Sequence, residues 1–195
     1  NSYPDGWAVL FDHPTTPVFL KEAAGTEDGG TIATGTSSSS NMAAQVWRVT
    51  GWRNSGTILN DVEIASTFGT STTPNPPALN PANWDTEDTL WAVYAGWFNP
   101  ATFSSYPTNY SNGVTTGPLG ARMATARREL TAVSEDPGTY ALSGSATWRS
   151  HTIAIRPAGA FLFDGSEVSF DGIANVDAVS DIVFTGSGAL DFDGT

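Results

Sequence analysis

Cysteine is absent from the 195 residues, which removes disulfide bonds, thiol catalysis and thiolate metal sites together. Positive charge is scarce. Lysine and arginine total 8 against 20 acidic side chains, and the net charge of −12 argues against binding nucleic acid or an anionic membrane through a basic face. No apolar run approaches the roughly 20 residues that a helix needs to span a bilayer, and no segment keeps a clear helical periodicity. The best helical candidate, Gly120 to Leu130, reads equally well as a strand.

Chemistry-bearing motifs are also few. His13 and His151 have no second histidine or acid at a ligand spacing, and no His-Glu-x-x-His motif exists. Serines are plentiful, but no Gly-x-Ser-x-Gly elbow presents one as a nucleophile. The adjacent acids Glu27/Asp28, Glu87/Asp88 and Glu135/Asp136 read as turn or strand-opening residues, because a glycosidase needs two acids converging from different elements. The chain is therefore expected to be no enzyme, with no catalytic, cofactor or metal residues to assign.

What is abundant is Gly, Pro, Ser and Thr beside aromatic residues, the profile of an all-β protein rich in turns. Trp148 to Arg156 is β-branched and aromatic, free of Gly and Pro, and closed by Pro157 and Gly159, which predicts a strand. Thr89 to Ala95 predicts another, with Leu90, Ala92 and Tyr94 on one face and Trp91 and Val93 on the other; apolar residues on both faces imply a doubly covered, interior strand. Shorter strands are expected at Trp7 to Phe11 and Val18 to Lys21, a turn at Glu27 to Gly30 leads into Thr31 to Thr36, and one more strand is expected within Thr57 to Ala65. From Trp97 to Gly117 the chain is aromatic and rich in Asn, Ser, Thr and Pro, too long for a structureless loop in a compact domain.

An internal echo runs through this pattern. Met42 to Gly51 matches the strand ending at Arg156, with Arg48 opposite Arg156. The turn Thr26 to Thr31 matches Ser134 to Thr139 at the same offset, and Tyr3-Pro4-Asp5-Gly6-Trp7 matches Tyr106 to Tyr110. The echo predicts that residues 1–159 form a β-sandwich of two related half-units. Tyr3 stands almost at the first residue, so the first half-unit is expected to be incomplete.

After Gly159 the texture changes. Short apolar pairs ending in Phe163, Phe170, Phe184 and Phe192 are each followed by Asp-Gly or Thr-Gly, a hairpin or bulge signal. Residues 160–195 are read as a short-strand β-repeat tail, acidic and without a basic residue. Ordering costs roughly 1–2 kcal/mol per residue, and burying a phenylalanine returns at most about 3 kcal/mol. The tail therefore needs a partner surface, and its four phenylalanines are the expected assembly residues, most simply against another chain. The Asp-Gly turns lack the glycine-rich register of calcium-binding β-rolls, so calcium is not expected.

Aromatic residues beside Asn and Ser suggest sugar stacking. Trp97, Phe98 and Phe103 are the candidate glycan-binding residues, whereas Tyr106 and Tyr110 read as core anchors because the first copy keeps Tyr3 and Trp7 in their places.

Taken with Glu87 to Tyr94, the Ser143-Gly144-Ser145 turn and the closing Ala154-Ile155-Arg156-Pro157, the Pro4-Asp5-Gly6-Trp7 turn resembles the jelly-roll, lectin-like β-sandwich structural proteins of tailed bacteriophage virions. The resemblance covers about residues 3–159. The family's opening Gly-Asp-Leu-Leu strand is missing from this chain. The resemblance implies a jelly-roll-like β-sandwich and a place in the virion, as a capsid decoration or minor head protein or as a tail or fibre component. The implied partners are copies of itself, in a homo-oligomer, and a major capsid or tail protein. It supplies no catalytic residues. The alternative reading is a carbohydrate-binding module for host surface glycans.

Overall fold

The computed structural model describes residues 6–25, 31–32 and 41–158. The described chain is all-β. Its strands are β1 (Ala8–Phe11), β2 (Val18–Leu20), β3 (Val62–Ser71), β4 (Glu87–Trp97), β5 (Phe103–Ser105), β6 (Ser111–Thr116), β7 (Arg122–Ala132), β8 (Ala141–Leu142) and β9 (Ala146–Ile155). Five of them make one antiparallel sheet in the order β3-β9-β4-β7-β6. The two strands that the sequence marked most strongly, β9 and β4, are neighbours in its interior, paired from Leu90↔Ile155 to Trp97↔Trp148.

Alternation along β4 explains the core. Trp91, Val93, Ala95 and Trp97 fall on one face with Ala146, Trp148 and Ala154 of β9 and Ala124 and Ala126 of β7, all buried. Small residues on β7 leave room for the large indoles of its neighbour. Three connections cover this face: 72–86 from β3 to β4, 98–110 from β4 to β6, and 133–145 from β7 to β9. They supply Leu79, Trp84, Ala101, Tyr110, Tyr140 and Leu142 to the same core.

These connections also bond to one another, through Leu142 N to Thr72 O (2.8 Å), Tyr140 N to Pro74 O (2.9 Å) and reciprocal bonds between Leu79 and Glu135 (2.8 and 3.0 Å). Pro74, Pro76 and Pro107 are fully buried within them. A proline has no N–H to give to a ladder. The second layer is therefore sheet-like in its pairing yet contains only the short β5-β8 pair as regular strands.

The opposite face carries Leu90, Ala92 and Tyr94 of β4 and is covered by two N-terminal pieces. The β1-β2 hairpin brings Phe11 to 4.7 Å from the ring of His151 on β9. Residues 41–53 cross from the β6-β7 turn to the end of β9, where Trp52 bridges Pro157 and Arg53 N donates to Arg156 O (2.9 Å).

Several expectations change here. Met42 to Val49 was expected to be a strand equivalent to Trp148–Arg156. It lies in no strand, and side-chain hydrogen bonds tie its neighbourhood to the sheet, from Asn41 Nδ2 to Leu119 O (2.9 Å) and Gln45 Nε2 to Val114 O (3.2 Å). Arg48 is exposed, while Arg156 is held by Glu87. Matching residue types thus serve different tasks in the two segments. The run at Thr57 to Ala65 becomes a short 3-10 turn at Ile58–Asn60 followed by the ten-residue β3. The stretch from Trp97 to Gly117 holds β5 and β6. The tail, most of Thr31 to Thr36 and the first member of the turn pair lie outside the described residues.

Candidate recognition surface

The three aromatics proposed for sugar stacking do not form a platform. Trp97 is still within β4, and alternation sends its ring into the core, where it is fully buried and its indole N–H donates to Ala101 O (2.8 Å). It offers no face to a ligand; the sequence placed it at the head of a loop because Gly96 appeared to end the strand. Phe103 is half-buried, with its ring 4.4 Å from Tyr106 and 6.3 Å from Tyr140. Phe98 alone is accessible, at 45% exposure. Tyr110 is a core residue and Tyr106 packs against the core, in line with their reading as anchors. The assembly residues Phe163, Phe170, Phe184 and Phe192 lie outside the described residues.

Of the adjacent acids, Glu135 and Glu87 have structural tasks, and Glu27 and Asp28 lie outside the described residues. Glu135 is buried and accepts from Arg128 Nη1 (2.9 Å) and from the Tyr110 hydroxyl (3.2 Å). Burial and the neighbouring carboxylate push the Tyr110 phenol up from its ordinary value. Glu87 takes Arg156 in a forked ion pair, and that guanidinium holds its carboxyl below the usual range. Among the described residues no three His, Asp or Glu side chains gather in a way that could hold a metal ion.

His151 is fully enclosed between Phe11 and Tyr94, with ring centroids 4.7 and 4.9 Å away. Neither ring nitrogen reaches a hydrogen-bond partner. The Thr16 backbone lies near enough to favour the proton slightly, but burial and Arg149 outweigh it and lower the pKa to about 4. The imidazole is therefore neutral at pH 7 and serves as a flat packing element.

Two features face outwards. The first is the margin where residues 41–50 meet β6, the last strand of the sheet. Val46, Leu119 and Val114 are exposed at 67%, 61% and 50% there. The Gln45 and Asn41 side chains bring these residues to one margin by bonding Val114 O and Leu119 O. Among the described residues no strand pairs with the outer edge of β6. The opposite edge, β3, exposes Phe68 at 75%, with the Arg149 guanidinium 5.2 Å from its ring centre.

The second is a concave site of about 210 Å³ lined by Trp47, Arg48, Val49, Asn112 and Arg127. Asn112 sits at an irregularity in the β6-β7 pairing, with φ at 51°. That is the left-handed region, which asparagine tolerates better than most residues, and bulges of this kind redirect side chains. The arginines elsewhere are engaged. Arg53 faces Asp61 (3.9 Å), Arg128 holds Glu135, Arg156 holds Glu87, Arg122 donates to Ala101 O (3.4 Å) and Arg149 to Ser66 Oγ (3.2 Å). The side chains of Arg48 and Arg127 form no ion pair or hydrogen bond among the described residues. Sequence reading missed this site because Trp47-Arg48 was taken as one strand of a repeat. The usable signal was Asn112-Gly113, which marks an interruption in β6.

Compared with known proteins, the chain matches no family model, no curated protein and no solved structure.

Proposed function

We propose that this chain is a structural component of a bacteriophage virion, a jelly-roll-like capsid decoration or minor head protein or a tail or fibre component. It works by assembly, with copies of itself and with a major capsid or tail protein, and not by catalysis. The supporting observation is the exposed apolar margin of Val46, Val114 and Leu119 beside the outer edge of β6. An edge strand offers unpaired backbone groups to another chain, and contiguous exposed apolar side chains mark contact surfaces. The acidic phenylalanine repeat of residues 160–195 is assigned to the same task.

Sedimentation velocity over a concentration series tests this reading. The full chain should form an oligomer that V46E/L119E disperses while keeping the wild-type circular dichroism. Association should strengthen with salt, because copies of net charge −12 repel until screened. A chain that stays monomeric throughout would contradict self-assembly.

A second reading, recognition of host surface glycans, is favoured by the concave site at Trp47. An indole beside an amide and two guanidinium groups supplies a stacking face and hydroxyl-binding donors together.

A further inference from the structure

The concave site differs from the rest of the molecule in charge. The chain carries 20 acids against 8 basic residues, and most of its arginines are held by carboxylates, carbonyls or a serine. Arg48 and Arg127 converge on one site with no partner of their own among the described residues. Their elements come from distant parts of the sequence, since Arg48 lies on the segment laid over the sheet and Arg127 within β7. Two acids, Asp88 and Glu129, line a smaller adjoining cavity with Leu90 and Ile155, and Val49 lines both.

The geometry points to a binding site for an anionic sugar, a single ring carrying a carboxylate, at Trp47, Arg48, Asn112 and Arg127. This rests on the glycan-recognising reading and names its ligand class. Each part has a task. Trp47 gives an apolar ring on which the sugar's C–H face stacks. The two guanidinium groups take the carboxylate, for which their planar donor sets are suited. Asn112 both donates to and accepts from hydroxyls, and the irregularity in β6 holds it at the rim. The volume of about 210 Å³ is below the ~300–1,000 Å³ of sites for drug-sized molecules, so it suits one ring and not an oligosaccharide. A neutral sugar would leave two cations without a counter-charge, so the site selects against it.

Isothermal titration of the full chain with a single-ring methyl uronide and with its neutral methyl hexoside counterpart tests the assignment. The uronate should bind, and its neutral counterpart should bind at least about tenfold more weakly, the loss expected for one charge-assisted contact. R48Q and R127Q should each weaken uronate binding by about tenfold with an unchanged thermal midpoint, and W47A should weaken both sugars. Raising salt should weaken the uronate selectively. Equal binding of the two sugars would overturn the anionic assignment and leave the glycan reading standing. Binding of neither sugar would overturn both. Uronate binding unaffected by R48Q and R127Q would place the ligand elsewhere, and stronger binding of an oligo-aspartate peptide at the same residues would assign the site to protein.

Discussion

Arg156 and Glu87 join the end of β9 to the start of β4 through a forked pair, with Arg156 Nε 2.9 and 2.8 Å from the two carboxylate oxygens and Nη2 also on Oε1. The guanidinium lies over the Trp84 ring (5.4 Å), and the Arg156 N–H donates to Asp61 O (2.9 Å). The side chain thus ties two central strands and the 72–86 connection, while the main chain of the same residue holds the entry to β3. Lysine can carry the charge but not the planar fork. R156K should therefore destabilise the fold by about 1–2 kcal/mol, measured by urea denaturation.

Burial separates two residues that stand side by side in sequence. Trp97 is in the core and Phe98 is exposed. W97A should cost about 3–5 kcal/mol, partly through the lost bond to Ala101, whereas F98A should stay within about 0.5 kcal/mol of wild type. Similar midpoints for both in thermal denaturation would contradict the placement of Trp97.

Gly113 on β6 lies under the ring of Tyr106, where an added Cβ would meet Cζ at 2.1 Å. G113A must displace that ring from Phe103 and Tyr140, at a cost of about 1–3 kcal/mol. In a Tyr106→Ala background the same change should be close to neutral. A double-mutant cycle reads the difference, and additive costs would show that the ring is not what glycine accommodates.

Acidification should act in two windows. The folded pKa of His151 is lowered from 6.5 to about 4, so the unfolded chain takes the proton first. Stability from this residue is complete above pH 6.5, falls as the pH drops towards 4, and is level below that. Arg149 on the same strand and His13 across from it disfavour the charged ring further, while Tyr94 stays a neutral phenol. Glu87 acts lower. Its folded pKa is below the ordinary 4.5, so its contribution is present above that value and is lost as the pH falls through the folded pKa. H151F should flatten stability between pH 6.5 and 4 while leaving the steeper loss below 4.5, as seen in urea midpoints across pH.

The central strands were legible in the sequence because β4 is long and apolar on both faces and β9 is rich in β-branched and aromatic residues, with a proline, Pro157, just beyond it. Trp91 and Trp148 are buried as their periodicity implied. The second layer was not legible as such. Its pairing depends on partners such as Leu79 and Glu135, far apart in the chain, and its prolines read locally as loop. The site at Trp47 was hidden for a related reason. Residues 41–50 have a strand-like composition but lie over the sheet, and whether such a segment joins a ladder is decided by the free edges available, not by its own propensity. Arg127 gave no local sign that its charge is unanswered, because Arg128 beside it points to the opposite face and meets Glu135.

Hydrogen–deuterium exchange of the full chain at low and high concentration tests the assembly account most directly. The account predicts that amides of Ser111–Thr116 and of residues 41–50 exchange more slowly as concentration rises, while those of β4 and β9 stay equally protected. Exchange at β6 that is independent of concentration, in a sample that nevertheless forms oligomers, would contradict the claim that this edge is where copies meet.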